Sequence, residues 1–198
     1  MRTSPLSITC AIAVAIAATG CTSGRTSAHA GADHATMTTA VSPVDSRVLA
    51  AFRGALDAEY AVGSEPAVAG DMAAANAVGR DPRLSSAFTG VAYTQTWTGI
   101  ANSHMNGVQG PSTYTLAEAR VSSLTPVNDP TSATVSACFF DAGDFVTATH
   151  APVTAPAGTG AGWAFGTWTL TMTDGTWKVS DDHYQVVLTN DGAHPRCG

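Results

Sequence analysis

The sequence predicts an α+β domain, with three helices in its first half packed on one face of an antiparallel sheet of about four to six strands. Three observations carry that expectation. Val44, Val48, Phe52, Leu56 and Tyr60 recur every four residues, the signature of an amphipathic helix. Beyond Tyr114 the apolar pattern changes to period two, the signature of half-buried strands. Asp174-Gly175 stands between two such runs, and this dipeptide is the strongest short hairpin signal a sequence offers.

The chain opens on a segment read as address rather than fold. Arg2 supplies a positive start, and Ile8 to Ala18 is an apolar run too short to cross a bilayer, which takes roughly 20 residues. The run ends in Ala18-Thr19-Gly20-Cys21, which resembles the lipobox of bacterial lipoproteins. That resemblance implies a diacylglycerol thioether on Cys21, cleavage just before it, and a mature protein held on the extracytoplasmic face of the cell membrane. A single acyl chain binds marginally, so the two or three chains of a lipoprotein cysteine are what make such an anchor durable. The competing explanation is a plain secretory signal with Cys21 a chance neighbour. Residues 21–41, rich in Ser, Thr, Ala and Gly, bury too little apolar surface to offset their ordering entropy and read as a flexible tether. His29 and His34 within it lack the ligand set of a structural metal site.

The folded domain is expected over residues 42–198, large enough for a proper core. Ser42-Pro43-Val44-Asp45 is a helix start: serine caps, proline takes the first helical position, and an acid sits in the first turn. That helix should run to about Val62, ended by Gly63. Alanine-rich Glu65 to Val78 reads as a second helix, ended by Gly79. Asp81-Pro82 repeats the cap-then-proline device and opens a third, expected to reach about Ser103. Asn106-Gly107 and Gly110-Pro111 mark a loop. Strands are expected over Tyr114–Leu124, Ala133–Phe140, Trp163–Thr173 and Thr176–Leu188, with Asp141 to Gly162 as loop.

Composition narrows the partners. The net charge is −6, there is one lysine and no basic cluster, so nucleic acid is not an expected partner. Of four cysteines, Cys10 leaves with the signal and Cys21 takes the lipid. Cys138 and Cys197 remain in an oxidising compartment, where a disulfide between them is expected. Closing a loop of about 60 residues is worth roughly 4 kcal/mol in the chain-entropy model. Two free thiols are the alternative.

The Thr134-Val135-Ser136-Ala137-Cys138 strand, the hairpin Asp174-Gly175-Thr176-Trp177-Lys178-Val179-Ser180-Asp181 and terminal Cys197 resemble a pattern of secreted actinobacterial lipoproteins. Their domain is similar to the nuclear transport factor 2-like, or ketosteroid-isomerase-like, cone. The resemblance implies a curved sheet, a cone-like half barrel, wrapped round a long helix with a pocket at its wide end. That fold hosts isomerases, dehydratases, cyclases and non-catalytic binding domains, so it does not give a function by itself. No catalytic residue transfers by position.

Candidate chemistry is therefore weighed residue by residue. Tyr93, Trp97, His104, Trp163, Trp168 and Tyr184 are candidates to line a pocket for a small apolar ligand, against core packing as the simpler explanation. Asp141 and Asp144, three apart, suit acid–base work or a solvated turn. His183, beside Asp181 and Asp182, is a candidate base; His150 and His194 complete a histidine set without zinc spacing, so no metal and no cofactor are expected. The Gly158–Gly162 run does not follow a strand, which disfavours a phosphate cradle. No Gly-x-Ser-x-Gly elbow is present. The expected function is a lipid-anchored envelope protein binding a small molecule or a protein partner. The alternatives are a pocket enzyme using His104, Asp141 or His183 as proton carrier, and an accessory domain of an export or wall-assembly complex.

Overall fold

The computed structural model describes residues 42–141, 146–147 and 162–188, all within the compact unit Ala40–Gly198. Cys10, Cys21, His29, His34, Asp144, His150, His194 and Cys197 lie outside the described residues, so the expectations placed on them do too.

The architecture is α+β. Helix α1 spans Pro43–Gly63, α2 Met72–Val78, α3 Pro82–Ala87 and α4 Gly90–Met105. Strands follow as β1 Val108–Gln109, β2 Tyr114–Thr125, β3 Ser132–Asp141, β4 Val146–Thr147, β5 Gly162–Thr173 and β6 Thr176–Leu188. The main sheet is antiparallel and open, ordered β2-β3-β5-β6; β1 and β4 pair separately.

Helix α1 begins as its sequence dictates. The Ser42 hydroxyl accepts from the Asp45 amide at 3.0 Å, and Pro43 occupies the first turn. Its four-residue stripe buries Val48, Phe52, Leu56 and Tyr60 with Ala55, and the helix packs across β2, β3 and β6. The second helix is shorter than expected. Gly70 takes a left-handed φ of 80° and Asp71 caps at the Ala74 amide, so helix begins only at Met72.

The expected third helix is two helices. Phe88 adopts extended backbone and bridges Val179 of β6, and the Thr89 amide donates to the Val179 carbonyl at 2.8 Å. Gly90 then re-enters helix through φ 58°, a conformation that a side chain disfavours. The break thus stitches the helical layer to the sheet. Lys178 Nζ adds a second tie by donating to the Ser85 carbonyl at 2.8 Å.

The late hairpin follows its dipeptide: Asp174 and Gly175 both have positive φ, 51° and 76°, as a type I′ turn requires. Within the sheet, alternation sends Ala133, Val135, Ala137 and Phe139 of β3 inward, beside Ala164, Trp168 and Leu170 of β5. Trp177 and Val179 complete the same buried layer, and Phe52 meets Trp168 with ring centroids 5.2 Å apart. Cys138 faces the other side, buried, and is disulfide-bonded.

Candidate functional site

The inward parity of the strands does not stop at the core. In β3 it runs on from Phe139 to Asp141. In β6, across the bulge at Ser180, it selects Asp182, Tyr184 and Val186, which pair with Trp168, Gly166 and Ala164. On α1, Glu59 stands three residues after Leu56 and seven after Phe52, on the buried stripe. Helical and strand periodicity therefore deliver three carboxyl groups to one place.

That place is a cavity of about 430 Å³. One wall is Glu59 and Tyr60 of α1, another is Asp141, Asp182 and Tyr184 of the sheet. Gln95, Gly99, Ile100 and Ser103 of α4 and the Gly110-Pro111 loop close the rest. A smaller cavity of about 100 Å³ shares Glu59, Tyr60, Asp141, Asp182 and Tyr184 with it. Beyond those five, the smaller lobe is wholly apolar, with Leu56, Phe88, Phe139, Trp168 and Val186 among its walls. The five shared residues form a polar collar between a large mixed lobe and a small apolar one.

The electrostatics of the collar are one-sided. No Lys, Arg or His is among the described residues that line either lobe. Burial, then the charges of Asp182 and Asp141, raise the Glu59 carboxyl from the ordinary 4.5 to about 7. Glu59 has no hydrogen-bond or ion-pair partner among the described residues; its accessible face is the cavity. Asp182 is also raised, by burial and by neighbouring Asp181, against a lowering pull from His183. The Tyr60 hydroxyl is pushed far up by burial and by the charges of Asp141 and Glu59, and it donates to Asp141. Burial with the charges of Glu59, Asp182 and Asp141 pushes Tyr184 up to about 12. Both tyrosines are therefore neutral donors at physiological pH. The Tyr184 ring stacks on Trp168, centroids 5.6 Å apart.

The residues expected to line a pocket divide. Trp168 and Tyr184 stand at the cavity. Tyr93 instead donates its hydroxyl to the Gly79 carbonyl at 2.7 Å, and the Trp97 ring lies over Gly79, whose missing side chain makes room for it. His104 is buried with Nε2 3.2 Å from the Gly63 carbonyl, joining α4 to the end of α1. Trp163 follows the odd parity of β5 to the opposite face, where it packs on Phe140. His183 is exposed on that opposite face too, its Nε2 3.4 Å from Asp181. Neither histidine is among the residues lining the cavity: His104 is engaged at the Gly63 carbonyl, and even–odd spacing on β6 turns His183 to the other face. Asp141, by contrast, is in the collar. Glu59 carries no expectation from the sequence, and Asp182 enters there only as a neighbour of His183. Their signal was an acid at a core position of a helical stripe and an acid at an inward strand position.

Among the described residues no group of three His, Cys, Asp or Glu is arranged to hold a metal ion. No described helix is long and apolar enough to cross a membrane. No family model matches the chain, and no curated protein matches it. Among solved structures it is similar to the intermembrane-space region of chloroplast protein ARC6, with a TM-score of 0.40 and 18% identity over 52% of this chain and 76% of that one. At that level nothing is carried across to this chain.

Proposed function

We propose that this is a lipid-anchored protein of the extracytoplasmic cell envelope whose domain holds a small molecule in the cavity between α1, α4 and the sheet. The observation that carries the proposal is a cavity of about 430 Å³ on which five polar residues converge, within the size range of small-molecule sites. The lipobox resemblance at Cys21 supports the location, and the cone resemblance supports a pocket at one end of the sheet. The collar changes the expected ligand: a purely apolar molecule would leave the Glu59 carboxyl, which has no partner among the described residues, desolvated and unanswered. The test is native mass spectrometry of the lipoprotein extracted intact from membranes. A co-purifying small molecule that Ile100→Trp or Gly99→Trp displaces from the folded protein supports the proposal. Unchanged occupancy in those cavity-filling variants contradicts it.

A second reading rests on Glu59. A carboxyl that titrates near 7 is suited to general acid–base work, and neutral Tyr184 is a donor for a developing oxyanion. This favours a proton-transfer enzyme of isomerase, dehydratase or cyclase type, with Glu59 or Asp141 as proton carrier in place of His104 or His183. A co-purified compound chemically converted by wild type and returned unchanged by Glu59→Gln would select it.

A further inference from the structure

Asn106-Gly107 is the one Asn-Gly dipeptide in the sequence, and neither residue lines the cavity. Glycine places no side chain beside its own amide nitrogen, so nothing shields the preceding carboxamide from that nitrogen. The fold dictates both residues. Gly107 has φ 68°, and a side chain there would stand 3.0 Å from the Ala69 amide nitrogen. Exposed Asn106 caps α4, its Nδ2 donating to the Asn102 carbonyl at 2.8 Å. A reactive dipeptide therefore stands at the joint between α4 and β1, just before the Gly110-Pro111 wall of the cavity.

We infer that Asn106 is a site of spontaneous deamidation held in check by the folded end of α4, so that conversion marks molecules in which this end has opened. The Gly107 amide nitrogen gives its proton to hydroxide and bonds to Asn106 Cγ; the Cγ–Nδ2 bond breaks and ammonia leaves. Water then adds to one of the two carbonyl carbons of the succinimide ring. Opening on the side-chain side gives aspartate, and opening on the main-chain side gives isoaspartate.

In the fold both reacting groups are engaged. The Gly107 N–H donates to the His104 carbonyl at 2.9 Å, and Asn106 Nδ2 is held at Asn102. The Asn106 backbone, φ −88° and ψ 4°, keeps the Gly107 N–H turned onto α4. The Gly70 amide clamps the same turn by donating to the Met105 carbonyl at 2.9 Å. Ring closure thus waits on local opening, and the opening equilibrium sets the rate. Aspartate puts a negative charge at the unfavourable end of the α4 dipole, and isoaspartate adds a methylene to the main chain there. Either product loosens the joint further.

The test is peptide-mapping mass spectrometry of the mature protein aged at pH 8 in heavy-oxygen water, folded and in urea. Conversion at Asn106, read as uptake of the heavy oxygen, should be at least tenfold faster in urea. In native buffer it should rise with temperature in step with hydrogen exchange of the Gly107 amide. Asn106→Gln, whose longer side chain closes a less favourable ring, should take up no label over the same period. Should that variant not fold, the wild-type comparison decides alone. Equal rates in the two states, or native conversion unrelated to Gly107 exchange, would overturn protection by the fold. Absence of conversion in urea would overturn the site itself.

Discussion

Glu59 concentrates the physical tension of the molecule into one side chain. Its carboxyl is raised to about 7 in the fold against about 4.5 when exposed, so the folded state holds a proton that the unfolded state releases. The associated stability is fully present below pH 4.5 and is lost as pH rises through 7, amounting to about 3 kcal/mol at most. Asp182, raised for the same first cause, adds in the same direction. Glu59→Gln should therefore stabilise the protein at pH 8 by up to about 3 kcal/mol and leave it unchanged near pH 4, as urea denaturation at the two pH values would show. Equal effects at both would contradict a buried, repelled carboxyl. The sequence held this information in a form that patterns of apolar residues hide. Counting Leu56 to Glu59, Phe139 to Asp141 and Asp182 to Tyr184 by the local period places all three acids inward. Reading acids by proximity in sequence points instead to Asp181, Asp182 and His183 as a cluster, although the strand splits them between two faces.

The elements most legible in the sequence were those whose local chemistry agrees with the fold. Ser42-Pro43 starts α1, Asp81-Pro82 starts α3, and Asp174-Gly175 turns the last hairpin. What local chemistry could not reveal was a long-range decision: α3 and α4 part because Phe88 leaves helix to bridge Val179, some 90 residues on. The short β1–β4 pairing escaped for the same reason, two residues against two across a long connection. Two glycines make opposite tests. Gly54 lies in the exposed face of α1 with open space at its absent side chain, so Gly54→Ala should stabilise by about 0.5–1 kcal/mol. At Gly166 a methyl group would stand 2.2 Å from the His183 carbonyl oxygen and 2.5 Å from the Tyr184 Cα. Gly166→Ala must part β5 from β6 beside the collar, at a cost of about 3 kcal/mol and a fall in melting temperature of roughly 10 °C. Thermal unfolding of the pair gives both signs; a neutral Gly166→Ala would contradict the close strand approach.

At the scale of the molecule, the proposal joins an anchor, a tether and a cavity. Cys21→Ala should release the protein from the membrane fraction or stall its processing, as fractionation and blotting would show; a cleaved form still retained on membranes would contradict a lipid anchor. The disulfide at Cys138 sits on the face of the sheet opposite the cavity, so its loss should lower stability without altering cavity binding. Everything assigned to the cavity depends on one electrostatic fact, a collar of carboxyl groups with no basic neighbour among its described residues. Carbon-13 NMR titration of the Glu59 side-chain carboxyl reads that fact directly. The midpoint should lie at about 7 and fall in Asp182→Asn, which removes one repelling charge. A midpoint near 4.5, unmoved by Asp182→Asn, would mean that the carboxyl is solvated or paired and that no such collar exists.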